Sequence, residues 1–314
     1  MALDQSGCGL ARGSRGRALV HDPRPGSATP AASGPSIRLS TRARYLCVLA
    51  LSLPPGAHAQ TAFRFSDLDL RDPHVFVNFL GCRDLTDTPV VGFSVNGELQ
   101  TRIQTDGSQP SDGLLDLSYL VEFLPLDQAQ PTNLVDTLSL QCTAPLVGTT
   151  CGPPATPLGI AGDASLASTG QCLAPLPGTT RPYSPAITNT SGPCFATPAG
   201  TVTLDLGGIP LTLRDTRIAA TLVGNPAGNL VNGLLSGFVS EADANATILP
   251  ATLPLIGGQT LSSLLPGGTG NCAGFNDKDI NGGVQGWWFY LNFTAPRVTL
   301  VADPFADGFA DGFE

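Results

Sequence analysis

The sequence predicts an all-β protein. We expect an antiparallel β-sandwich, built as one unit or as two β-rich halves, with short helices and a disulfide-stapled irregular middle region. The chain holds 37 Gly and 28 Pro among 314 residues, which indicates many turns. Charged residues make up only 13%, about half the usual share, and this excludes a charged helical bundle and a disordered polyelectrolyte. Short segments of alternating polarity, separated by turn residues, complete the prediction.

Residues 1–59 are predicted to be a signal peptide with a disordered N-terminal extension. Seven arginines precede an apolar run at 45–53, and the small-residue site Ala57-His58-Ala59 follows it. Because these are the basic, apolar and cleavage parts of a secretory signal, we expect cleavage after Ala59. The run is too short to cross a hydrocarbon layer of about 30 Å as a helix, so it does not predict a membrane anchor.

The chain beyond Ala59 is acidic, with nine basic and 23 acidic residues and a net charge of −14. Such a surface repels phosphate backbones and attracts divalent cations, so we expect no nucleic-acid partner. The most apolar later stretch, 246–265, is interrupted by proline and glycine, and no transmembrane segment is predicted in the mature chain. The expected location is periplasmic or extracellular.

Six cysteines remain in the mature chain, and an even number in an exported protein indicates three disulfides among fifteen connectivities. The motif C-x-A-P-L-x-G-T-T occurs at 142–150 and again at 172–180, each time with another cysteine after it. The simplest pairing is therefore two local bridges, Cys142–Cys151 and Cys172–Cys194, with Cys82–Cys272 as a long-range tie. A zinc site is disfavoured, because the mature chain has a single histidine and no C-x-x-C.

The first β-rich half, residues 60–141, contains a predicted strand at 74–80 and a predicted hairpin at 90–104. The hairpin rests on the pair Asn96-Gly97, which suits the positive-φ positions of a type I′ turn. A further strand is predicted over 117–123 from alternation of apolar and polar residues. Residues 142–200, rich in proline and cysteine, show no sustained periodicity and are predicted to be irregular.

The second β-rich half covers residues 201–302. It begins with a predicted hairpin, 201–206 with 209–213, and continues with strands at 217–223 and 230–239. Ser240, with Asp243 three residues later, predicts a short helix at 241–247. Two further strands are predicted at 287–293 and 297–301, and residues 303–314 are predicted to be a flexible tail.

A weak Ca²⁺ site is predicted on the loop that precedes residue 287. Its ligands would be Asp277, Asp279, Asn281 and Gln285, because they fit the pattern D-x-[DN]-x-[DN]-G-x-hydrophobic-x. Position 12 of the pattern is Trp288 instead of the bidentate glutamate, so a low affinity is expected. The alternative is a plain polar turn, since Asp, Asn and Gly favour turns without any metal.

A second and weaker Ca²⁺ loop is predicted from Asp106, Asp112 and Asp116. Pro110 occupies a ligand position and offers no side-chain oxygen, so the pattern is degenerate there. Both loops run directly into an aromatic strand. In this they resemble uncharacterised exported bacterial β-rich proteins with D-x-D-x-D-G-x-x-D loops, and the ending -DGFE at 311–314 resembles the C-terminus of such proteins. The resemblance implies an exported β-rich protein and no particular activity.

The sequence contains few residues in patterns that are typical of a catalytic site. His74 is the single mature histidine, so a histidine-dependent triad would have to use it, and no G-x-S-x-G elbow is present. Glu98, Glu122 and Glu241 could form a carboxylate pair for hydrolysis, but their spacing does not indicate it.

Trp287, Trp288 and Tyr290 form a possible sugar-stacking platform. Alternation along a strand places Trp287 on one face and the other two rings on the opposite face, so packing in the core is the alternative. The sequence thus predicts a secreted or envelope protein without catalytic activity, in a structural or surface-interaction role, whose partner is a surface component or a glycan. The alternatives are a carbohydrate-binding module and a carboxylate-dependent hydrolase.

Overall fold

The structure is a computed structural model, which describes residues 60–206, 208–270 and 272–301. The signal region, the cleavage site after Ala59 and the tail at 303–314 lie outside these residues. The strands of the described part are β1 (Thr61–Arg64), β2 (Asp67–Asp72), β3 (Phe76–Asn78), β4 (Cys82–Asp84), β5 (Tyr119–Phe123), β6 (Thr132–Cys142), β7 (Thr150–Ala167), β8 (Cys194–Ala196), β9 (Gly200–Asp205), β10 (Pro210–Gly224), β11 (Ala227–Ser240), β12 (Asp279–Asn281) and β13 (Val284–Leu300). The helices are α1 (Val95–Gln104), α2 (Glu241–Ala246) and a 3-10 turn at Leu261–Ser263.

The all-β prediction is confirmed, but the predicted sandwich is wrong, because the sheet closes into an eight-stranded antiparallel barrel. The strand order around the barrel is β1-β5-β6-β7-β8-β10-β11-β13, and β13 pairs with β1 again through Ala62↔Val298 and Phe63↔Arg297. Closure depends on β13, which pairs with β11 along one edge and with β12, β2 and β1 along the other. Strands from both predicted halves therefore belong to one sheet.

Aromatic side chains fill the interior of the barrel. The rings of Phe63 and Phe195 both meet Phe123 edge-on, at centroid distances of 6.1 and 5.1 Å, and Phe65 stacks on Phe293 at 4.2 Å. Neighbouring residues of a strand belong to separate apolar clusters, as Ala62 beside Phe63 and Trp288 beside Trp287 show, because successive side chains point to opposite faces of the sheet. The alternation that predicted strands is therefore real, although it does not distinguish a barrel from a sandwich.

The predicted hairpin at 90–104 is wrong, because residues Val95–Gln104 form helix α1. Ser94 is the N-cap, and its hydroxyl accepts a hydrogen bond from Gly97 N at 3.2 Å. Leu99 and Ile103 are both buried and lie one turn apart on the same face. Burial of that face against the barrel stabilises the helix more than the turn preference of Asn96-Gly97 opposes it.

Other elements agree more closely with the predictions made from the sequence. The predicted strands at 117–123, 201–206 and 209–213 correspond to β5, β9 and the start of β10, whereas the strand at 74–80 shrinks to β3. Helix α2 begins after Ser240, whose hydroxyl accepts from Asp243 N at 3.0 Å, as predicted. The strands predicted at 287–293 and 297–301 are one continuous strand, β13.

The middle region is only partly irregular. Residues Thr150–Ala167 form the long strand β7, which the sequence analysis missed because prolines and glycines interrupt its alternation. Pairing with β6 on one side and β8 on the other supplies the hydrogen bonds that local propensity does not. Residues 168–193, here called the strap, are irregular and cross the outer face of β11 and β13, where Leu173 and Ile187 pack.

Three disulfides, Cys142–Cys151, Cys172–Cys194 and Cys82–Cys272, are present in the pairing that the sequence predicted. Bridges of this number are consistent with a secreted or otherwise extracytoplasmic protein. Among the residues that the structure describes, no helix has the length and apolar character needed to span a membrane.

Candidate functional site

An apolar pocket of about 90 Å³ lies where α1, the β9–β10 hairpin and the irregular segment 249–264 meet. Fifteen of its lining side chains are aliphatic or aromatic, and two, Glu98 and Arg102, are charged. Leu70 and Leu291, which are opposite each other in the β2–β13 pairing, form one wall. The pocket thus combines an apolar interior with a single ion pair.

Helix α1 brings the charged pair to the pocket. Val95, Glu98, Leu99 and Arg102 lie at helical spacings that place them on one side of α1, and all four line the pocket. Arg102 Nε donates to Glu98 Oε1 at 2.7 Å, with 28% of the Arg102 side chain and 34% of the Glu98 side chain exposed. The ion pair therefore remains in contact with solvent while the neighbouring Leu99 is buried.

The wall facing α1 comes from the segment 249–264, which is rich in leucine and proline. Two backbone hydrogen bonds close it into a loop, from Leu249 N to Gln259 O and from Gly258 N to Leu249 O, each 2.9 Å. Gly258 has a φ of +76°, a conformation that favours glycine. This loop directs the side chains of Leu249, Leu253 and Ile256 into the pocket.

Of the residues predicted as the first Ca²⁺ loop, Asp279, Asn281 and Gln285 lie in the β12–β13 hairpin, and Asp277 lies just before it. Asp277 accepts hydrogen bonds from Arg181 Nε at 2.8 Å and from Tyr183 Oη at 2.9 Å. Asp279 accepts from Trp288 N at 3.3 Å, and Asn281 Nδ2 donates to an aspartate on β10. In the described residues, no group of three or more His, Cys, Asp or Glu is arranged to hold a metal ion. Protein donors thus already occupy oxygens of this loop, and calcium binding stays a prediction.

Gln285, the fourth predicted ligand, is exposed and lies opposite Ile280 in the hairpin. Gly282 and Gly283 both have positive φ, so the turn between the two strands adopts the conformation that adjacent glycines permit. The backbone of this segment is therefore a polar turn between two strands, which was the alternative to a Ca²⁺ loop.

In the second predicted Ca²⁺ loop, the carboxylates accept hydrogen bonds from N–H and O–H groups of the same loop. Asp106 accepts from the hydroxyls of Ser108 and Ser111 and from Gly113 N at 2.7 Å, and these hydrogen bonds lower the pKa of its carboxyl to about 2. Asp116 accepts from Gly107 N at 2.9 Å. Asp112 similarly accepts from Leu114 N at 2.9 Å. The three predicted ligands lie in one loop, where each stabilises a turn.

The predicted aromatic platform is buried. Trp287 points into the barrel and donates from Nε1 to Pro266 O at 2.9 Å, whereas Trp288 and Tyr290 lie on the outer face, as alternation predicted. Their rings are 6.4 Å apart and nearly parallel. The strap covers these two rings, so Trp288 is only 7% exposed and Tyr290 is 0% exposed, and Trp287 is 0% exposed inside the barrel.

A polar cluster that the sequence analysis missed joins the strap to the barrel. Asp72, only 2% exposed, accepts from Arg181 N at 2.8 Å. Burial, together with the charges of Asp277 and Asp279, raises the pKa of Asp72 to about 8. Burial likewise raises the pKa of Asp279. The carboxylates come from β2 and from the segment that contains β12, so no local pattern could have identified the cluster.

The candidate catalytic residues are held in structural contacts. His74 is buried, its Nδ1 lies 2.5 Å from Asp84 Oδ2, and its ring stacks on Tyr183 of the strap at 3.9 Å. Glu98 pairs with Arg102, and Glu241 pairs with Lys278 at 2.5 Å. Glu122 is buried on β5, where burial and the charge of a neighbouring aspartate raise the pKa of its carboxyl. The three glutamates thus occupy three different environments.

The pocket itself was also missed. Its walls come from β2, α1, the β9–β10 hairpin, the segment 249–264 and β13, which are distant in sequence. The only local signal for it is the apolar character of the stretch 246–265, which supplies one of these walls. No protein-family model, curated protein or solved structure matches this chain.

Proposed function

We propose that the protein is a non-catalytic binding protein of the cell envelope or exterior, whose apolar pocket holds the hydrophobic group of a ligand. The observation that carries the proposal is the lining of the pocket, with fifteen apolar side chains and one ion pair. A pocket with an apolar lining and few polar groups is the usual form of a small-molecule site. The three disulfides support a role outside the cytoplasm.

The volume limits the group that the pocket can hold. An engineered apolar cavity of about 150 Å³ accommodates benzene. A pocket of about 90 Å³ therefore fits a smaller group, such as a short branched alkyl chain. Burial of each methylene contributes about 0.8 kcal/mol, so four carbons would supply only about 3 kcal/mol. Tighter binding requires contacts between the rest of the ligand and the rim.

The absence of catalysis is inferred from how the acid–base groups are used. His74 and Asp72 are both buried beneath the strap and hold it to the barrel. The pocket carries Glu98 and Arg102 as its only charged lining groups among the described residues. The one carboxylate of the pocket, that of Glu98, already accepts a hydrogen bond from Arg102 and is not positioned as a free general base.

Titration with isoamyl alcohol tests the proposal. We expect saturable chemical-shift changes in the methyl groups of Leu99 and Ile256 of the wild type. In Leu99→Trp, whose indole fills the pocket, the Ile256 methyl groups should show no such change. The matched control is Val147→Trp, which adds the same ring at a residue that is 89% exposed in the described structure and should leave binding unchanged. Shifts that do not saturate, or equal binding by Leu99→Trp, would overturn the proposal.

A further inference from the structure

The ion pair at the rim carries more information about the ligand than the apolar walls do. Glu98 and Arg102 both line the pocket, and within the described residues Glu98 is the only side chain that binds the Arg102 guanidinium. One Arg102 nitrogen, Nε, makes that hydrogen bond. A guanidinium has five N–H donors in a planar fork, so further donors are available at the rim for a ligand oxygen.

The pair can be rearranged at little cost. About a third of each side chain is exposed, and solvent-exposed ion pairs at (i, i+4) on a helix contribute little to stability. A ligand that separates the two side chains therefore loses little stabilisation, provided that both charges find new partners.

A ligand with one charge does not meet this condition. A carboxylate that binds Arg102 would lie beside the Glu98 carboxylate, and an ammonium that binds Glu98 would lie beside the Arg102 guanidinium. Two like charges placed next to each other in this way repel, and the repulsion weakens binding. A ligand with both charges pairs with both groups, and the complex keeps the net charge of the free pocket.

We infer that the ligand is a free aliphatic amino acid such as leucine or isoleucine, bound with its alkyl group in the pocket, its ammonium group on Glu98 and its carboxylate on Arg102. The inference rests on the proposed function and deepens it. The branched alkyl group of such a ligand suits a pocket of about 90 Å³. A peptide terminus carries only one of the two charges, so the rim selects a free amino acid over a peptide end.

The experiment is isothermal titration calorimetry of the disulfide-bonded protein with leucine and with analogues that each lack one part. Isocaproate is leucine without the ammonium, isoamylamine is leucine without the carboxylate, isoamyl alcohol has neither charge, and serine lacks the alkyl group. We expect leucine to bind at least tenfold more tightly than the three alkyl analogues, and serine to give no measurable heat.

Two variants test the roles of the charges. Glu98→Gln should reduce leucine affinity at least fivefold and leave isocaproate binding equal or stronger, because the repelling carboxylate is gone. Arg102→Gln should reduce leucine affinity by a similar factor and leave isoamylamine binding equal or stronger. Isoamyl alcohol should bind both variants as it binds the wild type, which also shows that the pocket has remained folded.

The outcomes separate the inference from the proposed function. If isoamyl alcohol binds but leucine binds no more tightly, the inference is overturned and the proposed function stands. If leucine binds with unchanged affinity in both variants, the assignment of its charges to Glu98 and Arg102 is overturned. If no ligand in the series binds, both the inference and the proposed function fail.

Discussion

The side-chain amide of Asn96 on α1 hydrogen-bonds both backbone polar groups of Leu70 on β2. Asn96 Oδ1 accepts from Leu70 N at 2.8 Å, and Asn96 Nδ2 donates to Leu70 O at 3.0 Å. A helix side chain thus takes the place of a neighbouring strand at this edge of the sheet. Since Leu70 also lines the pocket, the same pair of bonds positions α1 against the pocket wall.

Asn96→Leu is expected to destabilise the protein by about 2–4 kcal/mol, because two buried backbone groups of Leu70 lose their partners. The free energy of unfolding in urea measures the loss. Gln104→Leu is the matched control. The exposed Gln104 amide donates to a single backbone group just before β2, Ser66 O at 3.1 Å, so this variant should lose less than about 1 kcal/mol of unfolding free energy. Equal losses in the two variants would contradict the role given to Asn96.

Asp72→Asn is expected to stabilise the protein at neutral pH. Asp72 has a pKa of about 8 in the folded protein against 3.8 as an unperturbed carboxyl. Because the folded pKa is raised, the contribution of this group to stability is fully present below pH 4 and is lost as the pH rises towards 8. Asparagine cannot ionise and can still accept the hydrogen bond from Arg181 N.

Urea unfolding of the wild type and Asp72→Asn at pH 5 and pH 8 measures this effect. The variant should gain on the order of 1–3 kcal/mol over the wild type at pH 8, and a smaller amount at pH 5. Asp106→Asn is the control, because its carboxyl has a pKa lowered to about 2 and stays ionised at both pH values. A stability difference between the wild type and Asp72→Asn that does not grow with pH would show that Asp72 is ionised at neutral pH.

Removal of the Cys172–Cys194 disulfide is expected to loosen the strap. The bridge spans 22 residues and joins Cys172, near the start of the strap, to Cys194 on β8 directly after its end, so its loss should cost about 3 kcal/mol. Trp288, which the strap covers, should then show a red-shifted fluorescence and stronger quenching by iodide. The variant is Cys172→Ala with Cys194→Ala.

The matched control for the strap is Cys142→Ala with Cys151→Ala, which removes a bridge spanning nine residues in a different cluster. It should leave tryptophan fluorescence unchanged in the folded protein. An equal fluorescence change in both double variants would mean that the signal reports general loosening and not the strap.

Calcium binding at Asp277 and Asp279 should depend on Arg181. The Arg181 side chain and the Tyr183 hydroxyl both bind the carboxylate of Asp277, so an ion would have to displace them. We therefore expect Arg181→Gln to show a larger rise of Tm with Ca²⁺ than the wild type, and Asp279→Ala in that background to remove the rise. No effect of Ca²⁺ on any of the three proteins would refute the predicted site.

Several local features could be predicted from neighbouring residues alone. Helix α2 begins where the Ser240 hydroxyl accepts a hydrogen bond from the backbone N–H of Asp243, three residues later. The alternation of residues 287–290 determines which rings point into the barrel. The disulfide pairing followed from a repeated motif. In each case the residues that interact are close in sequence or are related by a short internal copy.

Other features depended on partners far away in the chain. Asn96-Gly97 resembles a hairpin turn when only its neighbours are considered, but contact with Leu70 and burial of Leu99 and Ile103 make it the first turn of a helix. Strand β7 exists because β6 and β8 supply its hydrogen bonds. Local propensity was overridden in both places by long-range pairing.

By itself, the sequence determined the β class, the positions of the strongly alternating strands and the cysteine pairs. Only the tertiary structure decided that the sheet closes into a barrel, that Asp72 meets Asp277 and Asp279, and that Glu98 and Arg102 stand at the rim of an apolar pocket. The physical reason is that side-chain alternation specifies which face of a strand is buried but not which strands pair. The site lies where distant strands, a helix and a loop converge, and only the pairing of strands creates that place.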